Sequence, residues 1–285
     1  MISNAETIDI NELKTLWQIC FGDEKEYIDF FFSDRFVPEN TFVYIHNNRV
    51  VAQLFLLEGV FRVSEKEYPS YYLYAACTHP DFRRKGIMKE LLLSVEQEAK
   101  NRNIGFICLV PAEKSLFDYY SKFSYKPVFS KKVFSVEKSD LSVNDNDIVG
   151  LTLNNEDISA FRNKYLTARD CLLWDNKAID YAVKENRFSD GDLIVTDYGY
   201  ALLRPVDEDV CRVIEICCAG NRYAGIIEQI FNIYHFQKIL IDAPVDLQLK
   251  SKCIVSQNAM ALAVSDEAKE LIDSIGGACF GLPLE

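Results

Sequence analysis

Residues 76–92 read Ala-Cys-Thr-His-Pro-Asp-Phe-Arg-Arg-Lys-Gly-Ile-Met-Lys-Glu-Leu-Leu, and no other stretch of the chain restricts its fold so tightly. An apolar strand, Tyr71 to Thr78, meets a turn at Pro80. Three consecutive cations, Arg83, Arg84 and Lys85, then run into Gly86. Behind the glycine, Ile87, Met88, Leu91, Leu92, Val95 and Ala99 mark one face of a helix. A second buried strand, Phe106–Val110, follows at the distance of a strand–helix–strand unit. The pattern predicts an α/β fold in which a strand end, a helix N-terminus and a basic loop meet at one sheet edge. Such a junction suits a diphosphate. The glycine lets the backbone approach closely, first-turn N–H groups point outward, and the helix dipole adds about half a positive charge. A solvated basic turn is the plainer reading of Arg83–Gly86, but the buried strand and the amphipathic helix on either side weigh against it. Gly-x-Gly-x-x-Gly and Gly-Lys-Ser/Thr are both absent here, so neither a dinucleotide fingerprint nor a Walker loop is present.

The chain around this loop is acidic, with a net charge of −12. That disfavours non-specific binding to nucleic acid or an anionic membrane, both of which need basic faces, and suits a cationic partner such as an amine. The longest apolar stretch, Val50 to Phe61, is interrupted by Gln53, Glu58 and Gly59, so no membrane span is expected. The N-terminus shows no secretory signal pattern. Nine cysteines, an odd number without Cys-x-x-Cys spacing, read as reduced thiols of a cytoplasmic protein. Three histidines without ligand spacing argue against a metal.

At 285 residues the chain has room for two domains. In the first half, helices are predicted over 10–20 and 24–32, with a hairpin at 41–46 and 49–57 turning at Asn47-Asn48. A second hairpin joins 60–63 to the strand near Tyr71 through 64–67. Beyond the basic loop come a helix to about Arg102, the strand 106–110, a helix over 115–123 and a closing strand over 128–136. The polar run 138–150 reads as a linker between a domain at 1–137 and another at 151–285. In the second half, helices at 156–165 and 176–186 precede a hairpin at 193–196 and 200–205. The strand 211–218, a helix over 223–236 and the strand 239–242 complete it. Hairpin, strand, helix, strand thus occurs in both halves.

Thr78-His79-Pro80-Asp81-Phe82-Arg83-Arg84-Lys85-Gly86-Ile87-Met88 resembles the acyl-CoA loop of the GCN5-related N-acetyltransferases (GNAT), whose pattern is Arg/Gln-x-x-Gly-x-Gly/Ala. Met88 stands where that family has a small residue. Downstream, Tyr120-Ser121-Lys122-Phe123-Ser124-Tyr125 resembles the family's Tyr-x-x-x-Gly-Phe segment, with Ser124 in place of the glycine. The tandem build is similar to the "enhanced intracellular survival" acetyltransferases, in which a degenerate second domain follows an active first one. The resemblance therefore implies two tandem GNAT-like domains, each a mixed, mostly antiparallel sheet flanked by helices. It also implies acetyl transfer from acetyl-CoA to a primary amine of a small molecule or peptide by direct attack, without a metal. In the second half, Ala219-Gly220-Asn221-Arg222-Tyr223-Ala224-Gly225 lacks the loop pattern, and that half is expected not to bind CoA.

By the same resemblance, the backbone of Ala76, Cys77 and Thr78 would pair with the pantetheine arm. An N–H near Cys77 or Thr78 would polarise the thioester carbonyl. Arg83, Arg84, Lys85, Gly86, Ile87 and Met88 would cradle the diphosphate, and Ser115 is a further cofactor contact. Tyr120 is the general-acid candidate, with neighbouring Tyr119 the alternative register. The carboxylate of Glu285 is the general-base candidate, ahead of Glu113 and a water chain. Cys77 invites a nucleophile reading, but the sequence offers only His79 nearby, expected on the other face of an extended strand, and His79 reads as a turn residue. Two rivals share parts of the pattern: a CoA-binding sensor without turnover, and an aminoacyl-tRNA-dependent transferase of the peptidoglycan cross-bridge type. The acidic charge and the loop at Arg83–Gly86 both disfavour the second.

Overall fold

Helices and strands follow the hydrophobic periodicity through most of the chain in a computed structural model that describes residues 1–140, 155–166 and 168–282. Most of the linker stretch, residues 141–150, lies outside them. The elements are β1 (Ile2–Asn4), α1 (Ile10–Phe21), α2 (Lys25–Asp34), β2 (Thr41–His46), β3 (Arg49–Val63), β4 (Lys66–Thr78), α3 (Ile87–Asn101), β5 (Phe106–Leu109), α4 (Lys114–Ser121) and β6 (Lys126–Glu137). After these come α5 (Asn155–Leu166), β7 (Cys171–Leu173), α6 (Asn176–Asn186), β8 (Asp192–Thr196), β9 (Gly199–Pro205), β10 (Val210–Cys218), α7 (Tyr223–Ile233), β11 (Lys238–Ala243), β12 (Lys252–Ala263) and α8 (Asp266–Leu271). This is an α/β fold with mixed sheet pairing.

Local signals account for the element ends. Asp9 caps α1 through its carboxylate on the Asn11 N–H, and Gly22 closes that helix in the left-handed region. Asn47 and Asn48 both take positive φ, as a two-residue hairpin turn with the twist of its strands requires. The next hairpin is tighter than the predicted 64–67 turn. Ser64 and Glu65 both take positive φ, so β4 begins at Lys66. Helix α7 stops at Ile233, short of the predicted 236, because Tyr234 turns extended and stacks on Phe236 at 5.8 Å.

The chain divides into two units that do not follow sequence order. The first comprises Met1–Phe61, Tyr68–Lys126 and Met260–Ser274; the second comprises Arg62–Glu67, Pro127–Ala259 and Ile275–Glu285. In the first unit β1, β2 and β3 pair in antiparallel order, and β4 lies parallel to β5. The other partner of β5 is the end of β12, antiparallel to it, with Met260 opposite Leu109 and Ala263 opposite Phe106. In the second unit β8, β9 and β10 are antiparallel, β10 is parallel to β11, and β11 pairs with β6, Lys238 facing Glu137. Each unit therefore takes its last strand from the opposite half of the sequence.

Helix α3 buries Ile87, Leu91, Leu92, Val95 and Ala99 against Leu54, Tyr71, Ile107 and Met260, the core of the first unit. Burying each Val or Leu there contributes roughly 1.5–3 kcal/mol, which holds the start of α3 at the end of β4. Helix α7 does the same in the second unit, with Ile226, Ile227 and Ile230 against β10 and β11.

Candidate active site

Strands β4 and β5 run side by side only where Ser70–Tyr72 face Phe106–Cys108. Beyond this, β4 continues to Thr78, and Ala75 takes φ of +45°, a value costly for a residue with a Cβ. The strand bends at that point and leaves its neighbour. Ala76, Cys77 and Thr78 thus extend past the register shared with β5, Cys77 buried and the flanking pair half-buried. An open strand edge of this kind can accept an extended chain carrying amide groups.

The basic loop follows at once. His79 N–H holds Val51 O at 2.8 Å, and Pro80–Phe82 form one 3-10 turn. Two of the cations brace the loop: Arg83 Nε donates to Thr78 O at 3.0 Å, and Lys85 Nζ donates to Asp81 O at 2.8 Å. Lys85 also lies 4.9 Å from the Phe82 ring centre. Arg84 at φ +62° and Gly86 at φ +82° bracket Lys85 in the left-handed region. Left-handed residues so spaced turn successive N–H groups toward one concavity, a backbone nest for anions. Gly86 caps α3, and no side chain there bonds the first turn. Amide donors and helix dipole are thus left to an external anion. Behind the loop Ile87 is buried, and Met88 is half-buried against the core of the first unit.

Tyr120 lies near the end of α4 in the same apolar cluster as Leu73, Ile87 and Leu109, against which Ala76, Phe82 and Met88 also pack. Its ring meets Tyr119 and Tyr125 edge-on at 5.3 and 5.6 Å. Burial, helped by Tyr119, pushes the Tyr120 phenol up to about 12, and Tyr119 itself is raised by burial. Tyr120 is the more buried of the two, at 9 % exposure. Ser115 and Glu113 sit exposed at the start of α4, where the Ser115 hydroxyl donates to the Glu113 carboxylate. Glu285 lies outside the described residues.

Ser124 takes φ of +64°, which explains why a glycine suits this position in related sequences. Ser124→Gly is expected to raise stability by about 0.5–1 kcal/mol, the strain relieved less the entropy glycine adds to the unfolded chain. A thermal or denaturant midpoint that falls in this variant refutes the strain argument.

One feature escaped the sequence. The thiol of Cys20, in the last turn of α1, is lowered to about 7, chiefly through Cys77 and in part through Arg83, against partial burial. Cys77 and His79 suggested no activation, because nothing in a one-dimensional pattern brings α1 to the end of β4.

The second unit repeats the strand divergence but not the loop. Pairing of β10 with β11 ends at Val213–Ile241, and the register of β10 shifts between Val213 and Glu215. A cleft of ≈ 480 Å³ opens there, lined in part by Ile214, Glu215, Cys217, Asp242 and Pro244. At the start of α7, however, Tyr198 crosses the first turn. A Cβ on Gly225 would lie 2.4 Å from its hydroxyl, and the Arg222 guanidinium is 5.4 Å from its ring centre. Among the described residues no cluster suited to a metal occurs, and no helix is long and apolar enough to cross a membrane.

Residues 1–128 match the family model described as "Acetyltransferase (GNAT) domain". No curated protein shows significant sequence similarity to the chain. Among solved structures, a probable N-acyltransferase from Enterococcus faecalis superposes with a TM-score of 0.76 at 14% identity, over 94% of this chain and 73% of that one. Eis1 from Mycobacterium abscessus gives 0.72 at 11% identity, over 94% and 75%. A tandem GNAT protein from the clavulanic acid biosynthesis pathway gives 0.51 at 11% identity, over 93% and 98%. The chain shares the fold of these proteins.

Proposed function

We propose that the chain is an acetyl-CoA-dependent N-acetyltransferase acting on a primary amine of a small molecule or peptide, a reading supported by the match of residues 1–128 to the GNAT acetyltransferase domain model. The observation that carries this reading is the uncapped start of α3, reached through left-handed Arg84 and Gly86 from a strand that has just left its partner. The amides of residues 84–88 would take the diphosphate, with Arg83 and Lys85 shaping the loop through Thr78 O and Asp81 O. The edge of Ala76–Thr78 would take the pantetheine amides. A donor there would meet the negative charge that builds on the thioester oxygen as the amine attacks.

A phenol raised to about 12 stays protonated at neutral pH. Full proton transfer from it to a thiolate of pKa about 8.5 is uphill by about 5 kcal/mol, so Tyr120 acts chiefly as a hydrogen-bond donor to the departing sulfur. Glu285 is proposed as the base that frees the amine of its proton. Ser115 is kept as a cofactor contact at the edge of the site. Tyr198 across the start of α7 supports a single acyl-CoA site per chain.

CoA and acetyl-CoA are expected to raise the melting temperature with a stoichiometry of one. At a concentration 100-fold above Kd the stabilisation amounts to about 2.7 kcal/mol. An amine panel followed by CoA-thiol release then identifies acceptors. No stabilisation by either ligand removes the proposal, and binding without turnover on any amine turns the reading to a CoA sensor.

A further inference from the structure

The cleft between β10 and β11 has no task in the acetyl-transfer reading. Past Val213 and Ile241 the two parallel strands separate, and the β11 side of residues 214–217 has no strand partner among the described residues. Four strands of the second unit bring polar side chains to the opening: Glu215 from β10, Asp242 from β11, Lys131 from β6 and Asn258 from β12. Phe280 and Gly281 line it from the segment beyond α8. The start of α7, where a phosphate would sit, is crossed by Tyr198. A ligand here is therefore smaller and simpler than a nucleotide cofactor.

The charges of the cleft are paired but not balanced. Glu215 is held by Arg162 at 3.0 Å. Asp242 accepts from Lys131 Nζ at 2.6 Å and from Arg212 Nη2 at 3.0 Å. Three cations thus meet two carboxylates, which leaves one positive charge in excess. Two polar atoms are also left over among the described residues: Arg162 Nη1 is buried without an acceptor, and Asn258 Oδ1 is buried without a donor. Arg162 stands directly behind two lining residues, bonded to Glu215 and so near Gly281 that a Cβ there would lie 2.6 Å from its Nη2. Buried polar groups are nearly always bonded in native proteins, so an unused donor and an unused acceptor at one opening call for a molecule that supplies both partners.

We propose that this cleft binds a small carboxylate carrying a neighbouring amide N–H, the chemistry of an N-acylated amino acid. The carboxylate offsets the excess charge beside Lys131 and gives Arg162 Nη1 its acceptor. The N–H serves Asn258 Oδ1. The amide lies along the free edge of residues 214–217, as an added strand would. A free amino acid suits the cleft less well, because its ammonium keeps the excess positive charge in place. The proposal concerns the second unit alone and stands apart from the acetyl-CoA reading.

The test is calorimetric titration of the full chain, without any cofactor, by three probes. N-acetylglycine carries both groups, N-acetylglycinamide lacks the charge, and glycine has an ammonium in place of the amide. N-acetylglycine is expected to bind with a stoichiometry of one and about 10-fold more tightly than either of the others, the low end for hydrogen bonds to a charged group. Lys131→Gln is expected to lose about 10-fold in affinity for it, and Lys131→Arg to keep most of it. Both variants leave Asp242 its two bonds from Arg212 Nη2, so the fold has no reason to fail. Hydrogen exchange at the amides of 214–217 should slow when N-acetylglycine is bound. Absence of saturable N-acetylglycine binding, equal affinity for either of the other probes, or full affinity in Lys131→Gln overturns the assignment. Protection confined to residues 76–88 overturns it as well, since the probe would then occupy the first unit.

Discussion

Arg162→Leu is expected to destabilise the second unit by about 3–5 kcal/mol, the usual cost of stranding a buried charge. Arg162 is fully buried, its Nε donating to Glu215 Oε1 at 3.0 Å and its Nη2 to Oε2 at 3.2 Å. Tyr200 donates its hydroxyl to the same Oε1 at 2.6 Å. Burial pulls the guanidinium down, but the Glu215 charge, Tyr200 and the hydrogen bonds to Glu215 together more than reverse it, so Arg162 stays charged. Gly281 crosses directly above at φ +55°, where a Cβ would lie 2.6 Å from Arg162 Nη2. Without the guanidinium, Glu215 keeps a single hydroxyl donor for a carboxylate 7% exposed. The double variant Arg162→Leu/Glu215→Leu removes both charges and should recover much of the loss, because the desolvation cost disappears with the attraction. Urea unfolding monitors both. A single variant within 1 kcal/mol of the parent, roughly the error of such mutational estimates, or a double variant worse than the single, contradicts this account.

Tyr120→Phe is expected to lower kcat by about 10²-fold, the low end for general acids, because a phenol this weak donates a hydrogen bond more than a proton. KM for acetyl-CoA should change little, since the contacts proposed for the diphosphate and the pantetheine arm lie on the backbone of β4 and the loop and not on Tyr120. The pH profile carries the sharper signature. With the phenol at about 12, no loss of kcat from this group is expected until pH approaches that value. The same shift contributes stability that is present below pH 10 and is lost as pH rises through about 12. Tyr119→Phe provides the control for register. Near-normal kcat in Tyr120→Phe, with a large loss in Tyr119→Phe, moves the role to the neighbouring ring.

Local chemistry made much of the fold readable. Asn47-Asn48 announced a hairpin, the spacing of Ile87, Leu91, Leu92 and Val95 announced a helix, and Gly86 marked where that helix begins. These signals depend on residues close in sequence and on two periods, 3.6 and 2, that a single chain segment displays by itself. The anion loop was legible for the same reason, since strand, cations, glycine and helix are contiguous. The stretch beyond Ala243 offered less. Strand β12, exposed at 252–255 and buried at 259–263, has no single period, so neither it nor α8 was anticipated.

Alternation tells which face of a strand is buried, and it does not tell which strand lies alongside. Partners are chosen by burial summed over the whole sheet, against a loop-closure cost that rises only slowly with separation. That is why β6, read as the last strand of the first half, pairs with β11, while Met260–Ala263 pairs with β5. The bend at Ala75 was out of reach for the same reason. The amino-acid sequence by itself determined the strand–turn–helix of residues 71–101 and the basic loop within it. Only the tertiary structure decided where β4 leaves β5 and how deeply Tyr120 is buried, because both depend on segments that only long-range packing brings into contact.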